Sequence, residues 1–146
     1  MFKRFLIVSL ICFAITTGCK KDSTTNTSGV PNVAVNISID IYSANYAALE
    51  VVGGWEYVTG GYGGILIFCN ASNSYLAFDR GCPYDCETNS KAIITVQSGN
   101  ITAVCPVCGT TYSLYSGQIT KGPGSVALKQ YYTSFDGTYI TVSNSP

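Results

Sequence analysis

"FDRGCPYDC" at Phe78–Cys86, followed after a loop by "AVCPVCGTTYSLYSG" at Ala103–Gly117, is the stretch on which the reading of this chain turns. Cysteines arrive there as two close pairs, Cys82 with Cys86 and Cys105 with Cys108. Such pairing points to a metal or cluster cage, a set of disulfides, or a redox pair. The chain of 146 residues contains no histidine. Ser-His-Asp and Cys-His nucleophiles and the facial-triad iron site are thereby excluded. Its eight acidic residues are scattered, with no pair set for acid–base work, so the chain does not read as an enzyme.

Outward from the cysteines the sequence is a series of short apolar segments bounded by turn residues. Before them stand "WEYV", "ILIFC" and "YLAFD". "AIITVQ" and "ITAVC" lie between the pairs, and "TYSLY", "VALKQYYTSF" and "TYITV" follow. From Val33 the pattern alternates, with Val33, Val35, Ile37, Ile39 and Ile41 apolar and Asn36, Ser38 and Asp40 between them. Period-two alternation predicts a strand with one buried face. "ALEVV" at 48–52 reads as a further strand. Turns such as "NASNS", "QSGN", "YSGQ" and "DGT" supply Gly and Asn, which adopt positive φ at low cost. No window carries sustained helical periodicity. Roughly nine strands at intervals of about 8–12 residues predict an all-β, antiparallel sandwich or barrel. "GGYGG" at 60–64 lacks the Lys-Ser/Thr of a phosphate loop and opens a strand, so it reads as a hairpin turn. Cys69, inside "ILIFCN", reads as a small buried hydrophobe.

The order of motifs "FDRGCPY", "VCPVCGTTYSLYSGQITKGPGSVALKQY" and "FDGTYITV" resembles the Rieske-type iron–sulfur domain over about residues 55–144. In that family two loops at one end of a β-sandwich each offer a Cys and a His. Gly109 and Tyr112 match the residues after the second loop, and Gly122 and Pro123 match a third loop that covers the cluster. Leu128, Tyr131, Gly137, Ile140 and Val142 continue the match. The resemblance puts Cys82 and Cys105 at the two cysteine positions. Tyr84 stands where the first histidine belongs and Cys108 where the second belongs. An imidazole-ligated two-iron centre therefore cannot form in this chain. Tyr84, beside Gly122 and Pro123, is expected to fill the old cluster pocket, and Asp85 and Glu87 to be solvated loop carboxylates.

Three chemistries remain for Cys82, Cys86, Cys105 and Cys108. They can form disulfides, for which loops that meet as in the family make Cys82–Cys105 and Cys86–Cys108 plausible pairs. They can close a structural zinc site, or hold a [2Fe–2S] cluster as a Cys₄ set. "CPVC" also matches a thioredoxin-like redox pair, but that chemistry wants a following helix, and "GTTYSLYSG" is strand and turn.

The N-terminus bears on the choice. "MFKR", then the apolar run "FLIVSLICFAI", then "TTGC" form a secretory signal too short to be a permanent span. The small residues before Cys19 resemble a bacterial lipobox, with Thr16 in place of the usual leucine. That resemblance implies cleavage of a signal at 1–18, lipidation of Cys19, and a polar tether over 19–31 leading to a β domain over 32–146. The mature chain keeps six basic and eight acidic residues, a formal charge of −2. No basic patch suits nucleic acid. An exported chain meets oxidising conditions, which favours disulfides, then zinc, over an assembled cluster. The expectation is a lipid-anchored envelope protein, in the outer membrane of a Gram-negative-type bacterium, whose cysteine cluster serves structure or binding. The alternatives are an electron carrier with a Cys-ligated [2Fe–2S] cluster, and a ligand-binding or adhesion module using Tyr57, Tyr62, Tyr115, Tyr131 and Tyr132. A protein partner is not readable from the residues.

Overall fold

The computed structural model describes residues 29–146. The signal segment, the lipidation site Cys19 and the tether through residue 28 lie outside the described residues.

"ILIFCNA" becomes β3 (Ile65–Ala71), and its uninterrupted apolar run has a simple cause: both of its faces are covered. Leu66 and Phe68 enter one core with Phe78, Ala103, Tyr112 and Leu114. Ile65, Ile67 and Cys69 enter a second core with Ile39, Leu49, Tyr131, Ile140 and Val142. A strand buried on both faces loses the alternation seen in β1 (Asn36–Asp40). The remaining strands are β2 (Trp55–Val58), β4 (Ser74–Asp79), β5 (Thr95–Val96), β6 (Thr102–Val104), β7 (Thr111–Ser113), β8 (Ile119–Lys121), β9 (Gln130–Phe135) and β10 (Tyr139–Ser143). They form a six-stranded sheet, β1-β10-β9-β4-β3-β2, and a four-stranded sheet, β5-β6-β7-β8, with every pairing antiparallel. The fold is all-β, its sheets curl into a half-barrel, and the cysteines cluster in loops.

Leu66, Phe68 and Phe78 are fully buried against the small sheet. Each contributes about 1.5–3 kcal/mol to holding the two sheets together.

Three local expectations are corrected. "ALEVV" is not a strand: Ala44–Glu50 form a 3₁₀ helix. Tyr46 and Leu49, three apart, are its inward-facing residues, and a three-residue repeat suits three residues per turn. Ile119–Lys121, left outside the strands, form β8 by pairing with β7 at Tyr112↔Ile119. Gly29–Pro31, read as tether, belong to the packed domain. Val30 is 4% exposed within the first core, and the buried Lys129 ammonium donates to the Pro31 carbonyl at 3.0 Å and to Asn32 Oδ1 at 3.1 Å. An apolar residue beside two acceptors for a buried cation docks where a polar tether would stay solvated.

Candidate metal centre

The first cysteine loop leaves β4 at Asp79, whose side chain is fully buried. Asp79 Oδ2 accepts the Tyr62 N–H at 2.7 Å and the Tyr131 hydroxyl at 2.7 Å. Its Oδ1 accepts the N–H groups of Gly63 at 3.0 Å and Gly81 at 2.8 Å. The glycine turn joining β2 to β3 is therefore also the cradle that fixes where the cysteine loop starts. Its Gly61 has φ +60°, and a Cβ there would collide with the Asp79 carboxylate and the Tyr131 hydroxyl. Beyond it, Cys82 donates to the Ala92 carbonyl at 2.8 Å. The N–H groups of Asp85 and Cys86 both return to the Cys82 carbonyl, at 3.2 and 2.9 Å. One helical turn thus brings Asp85 back beside Cys82.

The second loop is the β6–β7 connection. Cys105 donates to the Thr110 carbonyl at 2.9 Å and accepts from Gly109 at 2.9 Å, closing a tight turn. Gly109 has φ +75°, a conformation that costs glycine little. The Gly-Pro loop laps over this turn: Gly124 donates to Thr110 Oγ1 at 3.0 Å, and a Cβ on Gly122 would stand 2.5 Å from Thr110 Cα.

Together the loops bring one ligand atom each from Cys82, Asp85, Cys105 and Cys108 within 4.8 Å of one another. Cys82 Sγ lies 3.7 Å from Cys108 Sγ, and Cys105 Sγ lies 3.9 Å from Asp85 Oδ2. Cys82 and Cys105 are fully buried, while Asp85 and Cys108 are half-buried. Three of the four expected cysteines meet. Cys86 stands apart from this group, its buried thiol donating to the Gly29 carbonyl at 3.4 Å. Asp85 takes the fourth place and is not the solvated carboxylate expected, whereas Glu87 is exposed. Among the described residues no disulfide is formed, and Cys69, Cys82, Cys86, Cys105 and Cys108 are free.

Tyr84 is 55% exposed and fills no pocket. Tyr112 occupies the interior instead, fully buried, with its hydroxyl 3.5 Å from Cys82 Sγ. Thr110, also fully buried, accepts from the Cys108 thiol at 3.2 Å. Neither Tyr112 nor Thr110 was singled out as a thiol partner from the sequence. Tyr112 carried one signal, its match to the family residue after the second loop, and Thr110 carried none. Three of the five tyrosines proposed for ligand binding are engaged within the domain: Tyr57 lies under the Arg80 guanidinium at 3.6 Å, Tyr131 is buried, and the Tyr62 hydroxyl donates to the Cys86 carbonyl.

Without a cation, burial disfavours the thiolate at Cys105 and Cys108. Burial pushes Cys105 up to about 12, opposed by the backbone N–H groups of Cys108 and Val107. Burial likewise raises Cys108, against the Thr110 hydroxyl and N–H that favour its thiolate. Cys86 is pushed up to about 11 by burial, then by the charges of Cys82, Asp79 and Glu87. Tyr112 is raised by burial and by its contact with Cys82. A bound cation inverts this logic, because its charge makes the coordinating thiols ionise.

The donor set tests what the site can hold. In a tetrahedral site with zinc–sulfur bonds of about 2.3 Å, two sulfurs stand about 3.8 Å apart. The Cys82–Cys108 separation of 3.7 Å matches that edge. Three sulfurs and a carboxylate oxygen fit a single ion. An imidazole-ligated two-iron centre does not fit, for want of any histidine. A two-iron cluster also needs its ligand pairs spread across two irons and two sulfides, wider than four atoms gathered around one point.

Comparison with known proteins follows the same lines. The chain is similar to the crystal structure of the cyanobacterial plasma membrane Rieske protein PetC3 from Synechocystis PCC 6803, at 21% identity over 73% of this chain and 98% of that one, with a TM-score of 0.54. It also aligns with the ferredoxin of carbazole 1,9a-dioxygenase from Nocardioides aromaticivorans IC177, at 15% identity over 77% of this chain and 98% of that one, with a TM-score of 0.49. No family model and no curated protein matches the chain. The chain has a Rieske-like fold whose loop cysteines form a group able to bind a metal.

Proposed function

We propose that this chain is a lipid-anchored envelope protein whose Rieske-like domain binds one metal ion, zinc, through Cys82, Asp85, Cys105 and Cys108. The ion serves structure: it closes the end of the domain by joining the β4–β5 loop to the β6–β7 turn. The observation that carries this reading is the gathering of four ligand atoms within 4.8 Å, with two sulfurs at tetrahedral spacing. A bound zinc keeps all four coordination places filled by protein, which leaves none for substrate and accords with a structural role. Zinc supplies no redox couple, so the ion's role here is to hold the loops.

The anchor is supported by the small-residue approach to Cys19 after a charged and apolar leader. Tether residues 20–28 span at most about 30 Å, which keeps the domain close to the bilayer.

Metal analysis of the purified mature chain tests the site. About one zinc per chain and no absorption between roughly 300 and 600 nm are expected. Iron with visible bands overturns the zinc assignment, and a metal-free protein with no reactive thiols overturns the metal reading altogether. Cys19→Ser is expected to move the protein from the membrane fraction to the soluble one.

A further inference from the structure

We propose that Cys82 and Cys108 form an oxidisable dithiol, so that a single disulfide between the two loops replaces the metal ion when the protein meets an oxidant. The proposal deepens the metal reading and rests on it for its first state.

Three observations carry it. The two sulfurs face one another across the seam between the loops at 3.7 Å, about 1.7 Å longer than a disulfide bond, and no hydrogen bond joins the loops' backbones there to resist closure. Cys108 is the half-buried cysteine of the cluster, on a turn whose Pro106, Val107 and Gly109 are exposed, so a small disulfide reaches it first. The other cysteines are restrained. Cys86 is buried beneath Gly29, to which its thiol donates, and Cys105 is held by a turn closed at both its N–H and its carbonyl.

The chemistry balances with a small-molecule disulfide as oxidant. The Cys108 thiolate attacks one sulfur of the oxidant and releases one small thiolate. The Cys82 thiolate then attacks Cys108 Sγ and expels the second. One protein S–S bond forms as one oxidant S–S bond breaks. Two electrons pass to the oxidant, the two departing thiolates take up protons, and the zinc, having lost two of its ligands, leaves as the divalent ion.

The test uses the full mature chain, once zinc-loaded and once stripped with chelator, each treated with oxidised glutathione. Free thiols are alkylated after unfolding, and the linked peptides are mapped by mass spectrometry. A Cys82–Cys108 link is expected in both samples, with Cys69, Cys86 and Cys105 alkylated. Zinc release should track link formation one for one, and bound zinc should slow oxidation at least tenfold. A Cys105–Cys108 or Cys82–Cys86 link in the stripped sample overturns the proposal, as does persistence of all thiols. Cys108→Ser should abolish the link while leaving Cys105 reduced, and any new pairing with Cys105 in that variant counts against the assignment. If the chain takes up no zinc but the Cys82–Cys108 link still forms, the metal reading fails and the dithiol stands.

Discussion

The thiol of Cys108 donates to the buried hydroxyl of Thr110 at 3.2 Å, and that same oxygen accepts the N–H of Gly124 at 3.0 Å. One side chain thereby ties a metal-site sulfur to the Gly-Pro loop above it. If Cys108 ionises, the hydroxyl turns from acceptor to donor and continues to serve the sulfur.

Thr110→Val keeps the shape and removes the oxygen. The Gly124 N–H is left without its partner, and the variant is expected to lose about 1–3 kcal/mol in urea unfolding. Thr110→Ser retains the oxygen and should lose less than half as much. Equal losses in the two variants would mean that the methyl group, not the hydroxyl, is what the site uses.

Cys86 and Asp85 are neighbours with opposite expected outcomes. Cys86→Ala should keep full zinc stoichiometry, because its thiol faces the Gly29 carbonyl and not the cluster. Asp85→Asn should weaken zinc binding more than tenfold, since the fourth anionic ligand is removed. Competition with a chromogenic chelator reads both, and the reverse ranking would return the site to a Cys₄ set.

The link between Asp79 and Tyr131 predicts a response to alkali. Burial, followed by the hydrogen bond to Asp79, raises Tyr131 above its ordinary value. The folded chain thus keeps a proton that the unfolded chain releases above about pH 10. The stability this contributes is fully present below that pH and is lost as the pH rises through the folded value, because the folded state then binds more protons than the unfolded one. Tyr131→Phe should flatten the alkaline fall in stability and cost about 1.5–3 kcal/mol at neutral pH, the range for a hydrogen bond to a charged group. Tyrosine absorbance near 295 nm, followed alongside circular dichroism, should show Tyr131 ionising only as the fold is lost.

Gly122 has φ +109°, and its missing Cβ makes room for the backbone of Thr110 at 2.5 Å. Gly122→Ala must move one loop off the other. A loss of about 2 kcal/mol or more, together with weaker zinc binding, is expected from combined strain and overpacking. A silent Gly122→Ala would show that the Gly-Pro loop does not rest on the β6–β7 turn.

Removing the metal should lower stability by the binding free energy that depends on the folded site. With free zinc at about a thousandfold excess over its dissociation constant, that is about 4 kcal/mol. Thermal unfolding with and without chelator reads it. Because Leu66, Phe68 and Phe78 hold the sheets together independently, the stripped domain should still unfold cooperatively.

The sequence by itself determined that strands of alternating or doubly buried character would pair into an all-β fold, because the period of hydrophobicity acts locally and needs no knowledge of partners. It also showed four cysteines as two close pairs in loops, of which the family resemblance puts Cys82 and Cys105 at the two cysteine positions. Only the tertiary structure decided the membership of the cluster. Asp85 and Cys86 are adjacent in the chain, and a single turn of backbone aims one at the other sulfurs and the other at Gly29. Tyr84 turned outward for the same reason: a loop residue has no periodicity to declare its facing. The four partners of Asp79 come from three separate segments, one of them 52 residues away, and the sequence carries no mark of a contact made across that distance.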